Sequence, residues 1–117
     1  MSLYGIVFGK QGENEAANYL REKGFDIVAK NFRSKFGEID IVAKKKDCLY
    51  FVEVKTRSNS KRGLPYEAVN KRKIFHMRQS AQYFLLKNKY KSYKLKLSVV
   101  SILKSEHRID FFDNISL

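Results

Sequence analysis

The sequence predicts an α/β or α+β sandwich, a central mixed sheet flanked by helices in the order α–β–β–β–α–β–β. Three observations support this. Segments with helical apolar spacing alternate with segments of period two. The first three strand-like segments follow one another through short polar turns. A long helical stretch then separates the third from the last two. At 117 residues, 44% hydrophobic and 14% aromatic, the chain has the size and composition of one ordinary domain, residues 1–117. Such a chain buries roughly two-thirds of the surface its unfolded form exposes, enough for a core without staples.

The first helix is expected over Lys10–Lys23. Glu13, Ala16, Ala17 and Leu20 share one face at spacings of three and four, and Gly24 ends it as a C′ glycine. Phe25–Arg33, Gly37–Lys44 and Leu49–Lys55 read as strands. In the second, Ile39, Ile41 and Ala43 are expected on one side and Glu38, Asp40 and Val42 on the other. The third is rich in aromatic and β-branched residues, and Lys44–Asp47 is short enough to close a hairpin. Glu67–Asn88 reads as a long helix striped by Ile74, Met77, Ala81, Phe84 and Leu85, lying across the sheet. Tyr93–Leu103 and His107–Phe112 are expected to close the chain as a hairpin.

The single cysteine, Cys48, excludes an intrachain disulfide and a cysteine-based zinc site. No apolar run approaches the roughly 18 residues of a membrane span, so no membrane partner is expected. Residues Met1–Gly12 carry no basic-then-apolar signal, so a cytoplasmic, reducing location is the expectation.

Charge points to a partner. The net charge of +12 is not spread evenly. Lys55–Lys96 holds thirteen basic residues and one acid, Glu67, while the remainder holds eleven of each sign. Positive charge so segregated attracts polyanions and releases counterions from a phosphate backbone. Nucleic acid is the leading partner, against the bland reading of a solvated lysine face.

Charges also break the apolar patterns. Leu49, Phe51, Glu53 and Lys55 fall on one strand face, so Glu53 and Lys55 continue an apolar row. A hairpin turning between Lys46 and Asp47 sets Asp40 opposite Glu53 and Glu38 opposite Lys55. Opposed residues have Cβ atoms about 4.5–5.5 Å apart, and two carboxylates so close invite a cation or a shared proton. Glu13 stands on the buried stripe of its helix, where stabilisation of the helix N-terminus is about as good an explanation as a site. Two or three carboxylate oxygens suit Mg²⁺ or Mn²⁺, which can polarise a phosphoryl oxygen and acidify a water; an adjacent lysine can orient that water and stabilise developing charge.

Gly37-Glu38-Ile39-Asp40, thirteen residues before Glu53-Val54-Lys55, resembles the D…(D/E)-x-K signature of the restriction-endonuclease-like nuclease superfamily. With Gly9-Lys10-Gln11-Gly12-Glu13, Asn31-Phe32-Arg33, Phe51 to Arg57 and the downstream Ala68…Lys73, nearly the whole chain resembles the bacterial YraN-like family. That family is similar to archaeal Holliday-junction resolvases. The resemblance implies a restriction-endonuclease-like fold and a metal-dependent DNA endonuclease, structure-selective at branched DNA. It implies Asp40, Glu53 and the Val54 carbonyl as metal ligands, with Glu13, the first-helix glutamate beside the metal, counted among them, and Glu13, Asp40, Glu53 and the lysine Lys55 as the catalytic set. Ile39 stands where the signature has Pro, which leaves the carboxylate ligand in place. Arg33, Arg57, Lys71, Arg72, Lys73 and Arg78 are the expected nucleic-acid contacts, and a homodimer would suit symmetric cleavage of a junction. The competing class is a non-catalytic nucleic-acid-binding module that keeps the fold, with DNA favoured over RNA in either case.

Overall fold

A computed structural model describes residues 2–115. It contains α1 (Leu3–Glu22), β1 (Asp26–Ser34), β2 (Gly37–Lys45), β3 (Cys48–Arg57), α2 (Lys71–Lys87), β4 (Lys94–Leu103) and β5 (Arg108–Phe112). The strands form one sheet in the order β1-β2-β3-β4-β5. Only β3 and β4 pair in parallel; the other neighbours are antiparallel. That parallel pair requires the α2 crossover, because strands of one direction cannot be joined by a tight turn. The α+β architecture and element order are those expected.

Two cores cover the two faces. Ala16, Ala17 and Leu20 of α1 pack with Ile41, Ala43, Val52, Val100 and Ile102. Met77, Ala81 and Phe84 of α2 pack with Ile39, Val42, Leu49, Phe51 and Leu97. Ile39 therefore lies with the α2 core while Ile41 and Ala43 lie with the α1 core, which corrects the expectation of one shared face. A backbone irregularity lies beside this change of face. Asn31 of β1, between residues paired with Ile39 and Ile41, has φ of +54°. Asparagine tolerates this left-handed conformation, which interrupts the regular pleat.

Helix boundaries differ from expectation at two N-termini. α1 starts at Leu3, because the Ser2 hydroxyl accepts the Gly5 N–H at 3.0 Å and caps the helix. α2 starts only at Lys71. Pro65–Ala68 forms a separate 3-10 turn, Val69 is extended, and the Asn70 side chain accepts the Lys73 N–H at 2.9 Å. An asparagine cap thus divides the expected Glu67–Asn88 helix.

Candidate functional site

The β2–β3 ladder pairs Lys45 with Cys48, Val42 with Phe51 and Ile41 with Val52. This is the register expected from a turn between Lys46 and Asp47. Beyond Ile41 and Val52 the ladder ends, and the Asp40 carboxylate takes the place of a main-chain acceptor: its Oδ2 accepts the Val54 N–H at 2.8 Å. Glu38 does not face Lys55, as a continued ladder would require. It pairs across the β1–β2 ladder with Arg33, whose Nε lies 2.7 Å from its Oε1.

Glu53, next along β3, is only 4% exposed. Two ammonium groups converge on its Oε2, Lys73 Nζ at 2.9 Å and Lys55 Nζ at 3.8 Å. Burial pushes the Asp40 carboxyl up to about 8, and a hydrogen bond and like charge from Glu53 add to that rise; the Val54 N–H opposes it. The Asp40 carboxyl thus keeps its proton at pH values where isolated aspartates are fully ionised. Glu13, on α1, adds its charge to the same cluster. Its own carboxyl is raised, chiefly by burial, while hydrogen bonding from Asn31 and the Lys30 charge work the other way.

Asp40, Glu53, Lys55 and Lys73 are therefore brought together, with Glu13 within electrostatic reach. The other expected contacts are dispersed. Arg33 is exposed against Glu38. Arg57 turns its guanidinium onto the carbonyls of Arg62 and Gly63. Lys71 and Arg72 are exposed in the first turn of α2, and Arg78 is half-buried on that helix. Lys73 was expected only as a phosphate contact, yet it reaches Glu53. Its spacing contains the signal, since it stands four residues before buried Met77 and so on the inward stripe. Asn31 is the second residue whose place the sequence reading missed.

Among the described residues, no three His, Cys, Asp or Glu side chains gather closely enough to form a metal-holding group by themselves. The chemistry of the close pair nevertheless suits a hard divalent ion. Asp40 and Glu53 offer oxygen donors, a cation would relieve their repulsion, and Mg²⁺ retains several waters rather than requiring an all-protein cage.

The fold and this cluster define an α+β protein with two carboxylates and two lysines at the open end of a β-hairpin. The chain belongs to the family described as "Uncharacterised protein family UPF0102", whose profile matches residues 12–112; this is the YraN-like family that its motifs resemble. A "UPF0102 protein" of Lachnoclostridium phytofermentans is 45% identical over 104 residues, covering 88% of each chain. Another, of Campylobacter fetus, is 41% identical over 119 residues and covers 99% of each. A third, of Persephonella marina, is 35% identical over 103 residues, covering 88% of this chain and 89% of its own. No helix among the described residues is long and apolar enough to cross a membrane.

Proposed function

We propose that this protein is a Mg²⁺- or Mn²⁺-dependent endonuclease that hydrolyses DNA phosphodiester bonds, with branched DNA as the favoured substrate class. The observation that carries this reading is the convergence of Asp40, Glu53, Lys55 and Lys73 where the β2–β3 ladder ends. A carboxylate pair buried only to stabilise the fold would be a poor choice, because like charges in close apposition disfavour it.

In this reading Asp40 and Glu53 hold the ion, with the Val54 carbonyl as a further oxygen donor. When bound, the ion supplies a Lewis acid at the phosphoryl oxygen and lowers the pKa of a coordinated water. Lys55 orients the attacking water and stabilises charge that develops on the phosphoryl oxygens. Glu13 stands beside the ion as a third carboxylate, its charge adding to the field at Asp40. Lys71 and Arg72, free of acids in the first turn of α2, draw the phosphate backbone towards the carboxylates.

The test is cleavage of labelled junction, duplex and single-stranded DNA with Mg²⁺ or Mn²⁺, alongside calorimetric ion titration. Wild type is expected to bind the ion and cut, and Asp40→Asn and Glu53→Gln to lose both. A second reading, the non-catalytic binding module, is favoured by one observation: Lys73 already gives Glu53 a counter-charge at 2.9 Å. DNA binding without ion binding, even with DNA present, would select that module.

A further inference from the structure

Gly12 of α1 is buried against β3, where a Cβ would collide with Thr56 Oγ1. Glycine at this crossing lets the helix approach the strand closely. One helical turn earlier, Phe8 meets the chain as it leaves β3. Phe8, Thr56, Arg57, Asn59, Lys61 and Arg62 line a groove of about 490 Å³ there. Tyr4, a further turn towards the N-terminus, stacks on Phe8 with ring centroids 5.9 Å apart and planes 14° from parallel. Tyr4 is 72% exposed, so the ladder continues from the groove wall into solvent.

The opposite wall is built rather than slack. Arg57 Nη1 donates to the Arg62 carbonyl and, at 3.1 Å, to that of Gly63. The Asn59 side chain accepts the Lys61 N–H at 3.0 Å, and the Ser60 carbonyl accepts the Gly63 N–H at 3.0 Å. Gly63 has φ of +100°, a conformation suited to glycine at this turn. Lys61 and Arg62 stand exposed on this wall, neither in an ion pair among the described residues, and no acid lines the groove.

We propose that this groove binds one unpaired nucleotide of a nucleic-acid strand, its base on the Phe8–Tyr4 ladder and its phosphate on Lys61 and Arg62. Flat aromatic faces beside unpaired cations match a base joined to a phosphate, and every base presents a π-face to stack. A basic peptide would be repelled, and an acidic one would satisfy the cations without using the flat rings. The assignment deepens the nuclease reading and rests on it for context. Arg57 lies two residues, roughly 7 Å, beyond Lys55 along β3, so a strand held at the carboxylates can run on into the groove.

The test is fluorescence titration of a short single strand carrying 2-aminopurine, in EDTA, with DNA, RNA and duplex arms. Wild type is expected to quench the probe in single strands and much less in duplex. Phe8→Leu keeps an apolar side chain but removes the ring; it should lose the quench and weaken binding roughly tenfold, and Phe8→Trp should retain both. Replacing Lys61 and Arg62 together by Gln should flatten the salt dependence by about 0.7 in log–log slope, the value for one phosphate contact on single strands. It should leave quenching at saturation intact. Equal quenching by duplex, or Phe8→Leu behaving as wild type, would overturn the groove. Ion binding and cleavage by Asp40→Asn are read separately, so the nuclease reading can fail while the groove stands, and the reverse.

Discussion

The two ends of the β2–β3 hairpin use the same two strands differently. Near the turn, Lys45 to Ile41 pair in unbroken register with Cys48 to Val52, and Val42, Leu49, Phe51 and Val52 are fully buried in the two cores. At the open end the pairing stops. Asp40 binds the Val54 N–H with its side chain, and Glu53 is buried among lysines instead of hydrocarbon. Main-chain groups must find partners wherever they are buried, so a lost ladder bond is an opening for a carboxylate. The hairpin thereby uses its regular half as a scaffold that holds two charges at its irregular half.

The largest expected effect comes from damaging the scaffold. Phe51 is fully buried and meets Phe84 edge-on, with ring centroids 5.6 Å apart. Phe51→Ala should destabilise the protein by about 3–5 kcal/mol, checked by urea unfolding. A loss well below that would mean the closed end does not carry the fold. Lys55→Ala acts at the other end. It removes one of thirteen positive charges between Lys55 and Lys96, so DNA affinity should persist, whereas cleavage should fall by roughly 10²-fold or more. Filter binding and cleavage rates on one substrate separate the two effects. A parallel fall in both would make Lys55 a phosphate contact rather than part of the chemistry.

How much of this was legible in the sequence follows from the kind of signal each residue leaves. The hairpin register was readable because the polar turn Lys46-Asp47 sets the pairing of every residue up to Ile41 and Val52. The carboxylates were readable because Glu53 interrupts an apolar row. For Glu38 the sequence offers Lys55 or Arg33 as partner, and Arg33 is the one it meets; the register that set it opposite Lys55 assumed a ladder that Asp40 ends. Asn31 was illegible as geometry: strand periodicity has no symbol for a left-handed residue, nor for the change of face between Ile39 and Ile41 on the neighbouring strand. The start of α1 was hidden for a different reason. Leu3, Ile6 and Val7 are exposed, so they supply no buried stripe, and the cap on Ser2 is the helix's main local mark. Lys73 could have been placed by its helical phase, but a lysine in a basic run reads first as surface charge.

The smallest effect tests the open end without any substrate. Asp40 titrates near 3.8 when unperturbed and at about 8 in the fold, raised chiefly by burial and then by Glu53. Between those values the folded protein binds more protons than the unfolded chain, so stability falls as pH rises through the window and levels off above it. Glu13, raised chiefly by burial, contributes with the same sign. In EDTA, thermal melts should therefore drop from pH 5.5 to pH 8.5. Asp40→Asn cannot ionise but can still accept the Val54 N–H, so its melts should drop less. Mg²⁺ should stabilise wild type more at pH 8.5 than at pH 5.5, because the ion competes with the proton that Asp40 holds. Identical pH slopes for wild type and Asp40→Asn would mean that burial does not raise Asp40, and that the two ends of the hairpin differ less than their geometry indicates.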